Sequence, residues 1–238
     1  MGALLTRLEQ LALTELSLLI EGETGVGKEL AAESVHGASA RMAGPFLVFD
    51  CAAKSLAAGE LELFGSETSP VSPDPGLPGL LELCEGGTLL LDHIDELALP
   101  LQARLLRALQ RREVRRIGGS NRIELDVRVI AASAHSLQRA VRLGAFQGEL
   151  LAHIGAERVR IPPLRQRLVD LVPLAEELLS SFRPPRVLSD ISAQVWAAFR
   201  THAWPGNVRE LRNALERALV VPDRALPVGQ DRGRDRVR

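Results

Sequence analysis

The segment Gly22-Glu23-Thr24-Gly25-Val26-Gly27-Lys28 limits what this chain can be more than any other, since it spells a glycine, four free positions, then glycine and lysine. It follows the apolar run Leu18-Leu19-Ile20 and leads into Leu30-Ala31-Ala32-Glu33-Ser34-Val35, so a strand, a tight turn and a helix are written consecutively. Glycines let the backbone curl with its N–H groups inward, the following helix directs its positive end at the same point, and Lys28 adds a mobile cation. The expectation is a polyphosphate pocket built from Gly22, Glu23, Thr24, Gly25, Val26, Gly27, Lys28 and Glu29. A glycine-rich turn that binds nothing shares the bare pattern; the strand before and the helix after argue against it. Glu29 departs from the general pattern, which places there a Ser or Thr whose hydroxyl holds magnesium.

A chain of 238 residues has room for one large domain, or for a main domain plus a small one. Hydrophobic content of 46% with 25% charged residues reads as soluble and globular, and a formal net charge of -1 shows no overall nucleic-acid footprint. Cys51 and Cys84 are too few and too poorly flanked for a disulfide framework or a zinc site, so free buried thiols and a reducing cytoplasm are expected. No apolar run approaches the roughly 20 residues that span a bilayer, and the start, Met1 to Arg7, carries no export signal.

In chain order, Leu4, Leu5, Leu8, Leu11 and Leu13 predict a short amphipathic helix before the first strand. Pro45 introduces Phe46-Leu47-Val48-Phe49-Asp50 as a buried strand, and strand, helix, strand implies a parallel sheet with a right-handed crossover. Ala57 to Phe64 reads as helix. Ser66 to Pro78 holds Pro70, Pro73, Pro75 and Pro78 and reads as an exposed loop with polyproline character. Leu89 to Leu91 is a buried strand ending in Asp92, at the strand end where nucleotide-binding parallel sheets place their ligands, so Asp92 is assigned to magnesium, directly or through water. Leu101 to Leu109 is helical, Val127 to Ala132 a further strand, Leu137 to Leu143 a helix, Val159 to Ile161 the final strand and Arg165 to Leu179 a helix. After Arg183-Pro184-Pro185-Arg186 only helices remain, Ala193 to Phe199 and Val208 to Val221, the latter with Asn207 as its N-cap. These readings set domains at residues 1–182, 183–221 and a polar tail, 222–238.

Taken together, Gly22 to Glu29, Glu62-Leu63-Phe64-Gly65, Gly86-Gly87-Thr88-Leu89, Leu101 to Gln110, Arg115-Arg116-Ile117-Gly118-Gly119, Asp126 to Ala132, Pro162-Pro163-Leu164-Arg165 and Trp204 to Leu211 resemble the central AAA+ domain of sigma-54-dependent transcription activators. The resemblance spans about residues 3 to 221 and accounts for Glu29, since that family has Glu after the lysine. It implies an α/β fold, an AAA+ P-loop three-layer parallel sheet with a small C-terminal helical lid domain. It also implies ATP and Mg2+ as cofactors, a ring oligomer of the hexamer type with ATP between subunits, and the sigma-54 RNA polymerase holoenzyme as partner. Arg209 of the lid is retained and is expected to reach the phosphates. Members usually end in a helix-turn-helix domain, for which the residues after Val221 leave no room, so no DNA-binding domain and no membrane contact are expected of this chain.

The departures are concentrated in the catalytic parts. The family's magnesium strand ends in Asp-Glu, whose glutamate activates the attacking water; here the pair is Asp92-His93, and His93 is the catalytic candidate in its place. A neutral imidazole can accept a proton but has a different reach and no negative charge. The family's sensor Asn corresponds to Ala134, beside Ser133, and its two arginine fingers to Gln147 and His153. The loop that grips the sigma factor, GAFTGA in the family, reads Ser69-Pro70-Val71-Ser72-Pro73-Asp74. Three readings stay open: a domain that binds ATP with impaired hydrolysis, an active ATPase using His93 or Glu96 on RNA polymerase or another partner, and an assembly subunit that binds no nucleotide. Asp95 and Glu96 are candidates for the missing carboxylate, although acids at a helix start are the preferred reading of both.

Overall fold

The computed structural model describes residues 2–52, 54–67 and 76–220. It divides into two compact units, Met1–Glu23 with Gly27–Ile161, and Thr24–Val26 with the chain from Pro162 onward. In the first unit the chain runs α1 (Gly2–Ala12), β1 (Leu18–Glu21), α2 (Lys28–Gly37), β2 (Phe46–Asp50), α3 (Leu56–Phe64), α4 (Leu80–Leu83), β3 (Thr88–Asp92), α5 (Leu99–Arg111), β4 (Glu113–Val114), β5 (Ile123–Glu124), β6 (Arg128–Ser133), α6 (Leu137–Arg142), α7 (Gly148–Ile154) and β7 (Glu157–Arg160).

Five strands lie side by side in the order β2-β3-β6-β1-β7, all parallel. Leu89, Leu90, Leu91, Ile130, Ala131 and Ala132 have no exposed surface, as parallel strands covered on both faces require. Because successive side chains alternate faces, Leu19, Leu89, Leu91, Val129 and Ala131 share one core with Leu63, Leu105, Leu137 and Leu150 of helices α3, α5, α6 and α7. The opposite face is covered by α2, which packs on β1, β3 and β6 and carries α1 against itself. This is the expected three-layer α/β sheet. Cys51 and Cys84 are both free and buried, as expected.

The short helix α4, the β4–β5 hairpin and α7 were not anticipated. The hairpin's strands are two residues each and too short for a periodic signal. Helix α7 is positioned by a buried glutamine. Gln102 Nε2 donates to the carbonyls of Leu97 at 2.7 Å and Ala145 at 3.2 Å, while its Oε1 accepts the Gln147 N–H at 2.8 Å. The described base of the proline-rich loop is tied down: Ser66 N–H donates to Leu77 C=O, Glu67 N–H to Ile117 C=O, and Ser66 is buried. Residues 68–75 lie outside the described residues, and with them the Ser69–Asp74 reading.

The second unit contains α8 (Leu171–Ser180), α9 (Ala193–Thr201) and α10 (Asn207–Val220). The boundary therefore falls after Ile161 and not at 182, because Leu171, Ala175 and Leu179 of α8 share a core with Val195, Phe199, Trp204, Leu211 and Leu215. Trp204 is the centre of that core, fully buried, edge-on to Phe199 at 5.2 Å, with its indole N–H on the Phe199 carbonyl at 3.0 Å. Residues 221–238, including the tail, lie outside the described residues. The helix expected from Arg165 begins at Leu171 instead, after two 3-10 turns. Pro173 explains the shift: inside a helix begun at Arg165 its ring would lack the N–H that the backbone ladder needs, whereas in a first turn that N–H is not required. Asn207 is the first residue of α10 with φ 54, and its side-chain amide turns to two other segments, accepting from Leu164 N–H and donating to Thr24 C=O. Among the described residues no helix is long and apolar enough to cross a membrane.

Gln102→Ala removes three hydrogen bonds, that to the Leu97 carbonyl buried and those to the Ala145 carbonyl and Gln147 amide partly buried. It should lower unfolding stability by about 2–4 kcal/mol. Denaturant titration checks this; a midpoint within error of the wild type would refute the role given to Gln102.

Candidate functional site

The carbonyls of Thr24, Gly25 and Val26 each have a donor within the second unit. Asn207 Nδ2 donates to Thr24 C=O at 3.1 Å, Val208 and Arg209 N–H to Gly25 C=O at 2.9 and 3.3 Å, and the Arg167 guanidinium to Val26 C=O at 3.0 Å. In a trans peptide the C=O and the next N–H point in opposite directions, so fixing these three carbonyls turns the following amides to the other side of the chain. The loop owes that curl to Gly25 at φ 80 and Gly27 at φ 100, conformations that other residues adopt only under strain. A Cβ on Gly25 would also stand 2.4 Å from the Gly206 carbonyl.

In the first unit, Lys28 is buried at the start of α2 with its ammonium on the Gly22 carbonyl at 2.9 Å and the Glu23 carbonyl at 3.3 Å. Gly27 is the N-cap of α2 and no side chain caps that helix, so its first amides suit an anion. A Cβ added at Gly27 would meet no protein atom within 4 Å. Cation, amides and open space over Gly27 fit a polyphosphate. Glu29 is exposed in the first turn of α2, where an acid complements the helix dipole.

Asp92 ends β3 directly opposite Asp50, the end of β2. One strand, β6, separates β3 from β1, which puts Asp92 about 10 Å across the sheet from the start of the phosphate loop. His93 follows at φ 50, and that left-handed turn brings its ring back over the two acids. Nδ1 lies 3.1 Å from Asp50 Oδ1 and 3.4 Å from Asp92 Oδ2, while the His93 N–H donates to Asp92 Oδ1 at 2.9 Å. The Ala52 N–H on Asp50 holds that carboxyl below its ordinary range, against partial burial and with help from His93. Asp92 is one carboxylate, not a cage: among the described residues no three acidic, His or Cys side chains are arranged to hold a metal. That donor set suits magnesium, which takes one or two carboxylates and completes its shell with phosphate oxygens and water.

A second imidazole–carboxylate pair stands beyond β6. His135 Nδ1 is 2.7 Å from Asp95 Oδ2, and the Asp95 side chain is only 8% exposed. Burial works to raise the Asp95 carboxyl, but hydrogen bonds from His135 and Ser133 outweigh it and leave it below its usual value. Asp95 is thus committed to His135, and Glu96 is exposed. Ala134 lies just past β6. Gln147 is the residue before α7 and His153 lies in its last turn, both partly buried. Arg209 is exposed on α10 with its amide on Gly25 C=O. Asp50 and His135 were missed from sequence. Asp50 carries a legible signal, an apolar run ending in Asp like the one that ends at Asp92; His135 carries none.

Comparison with known proteins follows this geometry. Residues 1–160 match the family model described as the sigma-54 interaction domain, and residues 165–227 the AAA+ ATPase lid domain. The regulatory protein AtoC of Escherichia coli is 43% identical over 215 residues, 89% of this chain and 47% of that protein. The sigma54-dependent transcriptional activator SfnR of Pseudomonas putida is 40% identical over 221 residues, 92% of this chain and 60% of that protein. The crystal structure of NtrX from Brucella abortus in complex with ATP superposes with a TM-score of 0.83 at 32% identity, covering 92% of this chain and 50% of that one. The chain thus spans about half the length of these relatives.

The depressed Asp95 carboxyl means that the folded chain binds fewer protons than the unfolded one in acid. Its contribution to stability is complete above the unfolded value of about 3.9 and is lost as pH falls through the folded value. Asp95→Asn should therefore lower the denaturation midpoint at pH 7 and flatten its decline below about pH 5. An unchanged acid-side slope would remove the pairing with His135.

Proposed function

Because the chain belongs to the sigma-54 interaction domain family, we propose that it is an ATP-binding AAA+ module of a sigma-54-type transcription regulator whose hydrolytic step is impaired. The observation that carries this reading is the phosphate loop. Three of its carbonyls are fixed by donors, Gly27 and the amides opening α2 have space before them, and Lys28 stands on the loop's first carbonyls. The similar crystal structure of NtrX from Brucella abortus in complex with ATP supports the identity of the ligand.

In this reading Gly22 to Glu29 wrap the phosphates, Lys28 moves from the Gly22 and Glu23 carbonyls onto phosphate oxygens, and Arg209 adds a second cation. Magnesium, when bound, neutralises phosphate charge, and Asp92 is its carboxylate. Impairment follows from what the side chains lack. His93 is held by Asp50 and Asp92 and supplies no carboxylate to orient water. Ala134 has no polar atom. Gln147 and His153 bring no permanent planar cation to a neighbouring subunit in a ring oligomer, where such a cation is typically worth 10³ to 10⁵ in rate. Action on the sigma-54 polymerase, and a reducing cytoplasmic setting suited to two buried free thiols, belong to the same proposal.

One observation favours a second reading, an active ATPase with His93 as general base. An imidazole whose Nδ1 is oriented by a carboxylate, here Asp50 at 3.1 Å, presents Nε2 as a proton acceptor. Nucleotide affinity and steady-state turnover separate the readings. The wild type should bind ATP with magnesium, Lys28→Ala should weaken that binding at least tenfold, and turnover should lie about 10³-fold or more below one per second. His93→Glu alone should not restore it, because Gln147 and His153 would still lack their cations. Turnover near one per second that disappears in both Lys28→Ala and His93→Ala would establish the second reading. Undetectable ATP binding would sink both and leave an assembly role.

A further inference from the structure

Arginine is concentrated in one short stretch of a chain whose net charge is only -1: Arg104, Arg107, Arg111, Arg112, Arg115 and Arg116 all fall within residues 104–116. The structure gathers five of these six, all but Arg112, around a cavity of about 380 Å³ between the end of α5 and the segment from β4 to Gly119, with Glu113 as the one carboxylate in its lining. Arg104 and Arg116 are matched by acids outside the cavity. Arg104 pairs with Glu60, and Arg116 makes a two-pronged contact to Glu82 at 3.0 and 2.7 Å. Glu113 is shared, 3.9 Å from Arg111 and 3.5 Å from Arg122. Arg107 and Arg115 are exposed and have no hydrogen bond or ion pair through their side chains among the described residues.

We propose that this arginine-lined cavity is a binding site for the phosphate backbone of nucleic acid, with duplex DNA as its occupant. The proposal does not rest on the nucleotide reading, since the cavity contains none of the phosphate-loop residues. Arg104, Arg107 and Arg111 follow one another at three- and four-residue spacing on one face of α5, steps of about 4.5 and 6 Å along its axis. A duplex strand offers a phosphate every 3.4 Å or so of its axis, so the row from Arg104 to Arg111, about 10.5 Å long, runs beside about three successive phosphate intervals.

The rest of the lining selects among polyanions. Phe64 is the aromatic residue of the cavity, but it is buried and the Arg104 guanidinium covers its face at 4.2 Å. No ring is left on which an unpaired base could stack, the usual anchor of single strands, so the surface suits a backbone whose bases are already paired. Ala108 and Val114 are likewise buried and Ile117 is partly exposed, so an acidic peptide would find charge with a single aliphatic side chain beside it for an anchor. Contacts of this kind position a protein on DNA without reading sequence.

Fluorescence anisotropy with a labelled mixed-sequence duplex of about 30 base pairs, titrated with the full chain between roughly 50 and 200 mM salt, tests this. The wild type should bind with an affinity that falls steeply with salt. Arg107→Glu with Arg115→Glu, chosen because neither side chain has a partner whose loss would unsettle the fold, should weaken binding at least tenfold and reduce the log–log salt slope by about 2. Arg107→Lys with Arg115→Lys should stay within about threefold of wild type, and the single strand should bind more weakly than the duplex. The proposal is overturned by no wild-type binding at the lowest salt, or by wild-type affinity in the glutamate variant, which would move the contact to other arginines such as Arg232 to Arg238. A comparable loss in the lysine variant, or displacement of the duplex more readily by polyglutamate than by unlabelled duplex, would overturn it as well.

Discussion

Parallel registration of β1, β6 and β3 is the constraint from which the first unit's chemistry follows. Strands that run the same way all turn at the same edge, so whatever follows Glu21, Ser133 and Asp92 is delivered to one line. The Gly22 N–H donates to the Ser133 carbonyl at 3.1 Å, which carries the ladder one residue beyond β1 and starts the phosphate loop from a fixed point. The ladder is made by backbone atoms and the buried faces by aliphatic side chains, and neither depends on what stands at the strand ends. That independence lets the residues just past the strand ends, His93 and Ala134 among them, vary while the sheet is still built.

The edge shows how these side chains meet. His93 does not stand alone; its left-handed backbone places the imidazole against Asp50 and Asp92, and a neighbouring His135 does the same with Asp95. His93 faces two carboxylates and His135 one, so the acids beside these strand ends are engaged with imidazoles. The same pairing gives His93 an oriented ring, which is why one set of distances supports both an impaired domain and a base of a different kind.

Much of this was legible from residues. The phosphate loop, the parallel α/β class and the lid could be read because glycine placement, apolar runs and strand-helix alternation are local signals. Element limits moved where a local rule met a neighbouring one: Pro173 displaced the start of α8, and Asn207 gave its amide to Leu164 and Thr24. The domain boundary was misjudged by about twenty residues because the apolar face of α8 looks the same whichever core it enters. Net charge is likewise silent on placement, since a total near zero says nothing of the arginines that α5 and the segment after it bring to one cavity.

Sequence by itself determined the family, the phosphate-loop motif and the parallel α/β class with its lid, because these depend on residue identity at fixed spacing along the chain. Only tertiary structure decided that Thr24 to Val26 cluster with the C-terminal helices, that Asp50 meets His93, and that Gln102 holds the start of α7. Those contacts join residues some 43 to 183 positions apart, where no periodicity reaches, and they form only when buried polar groups from distant segments must find one another.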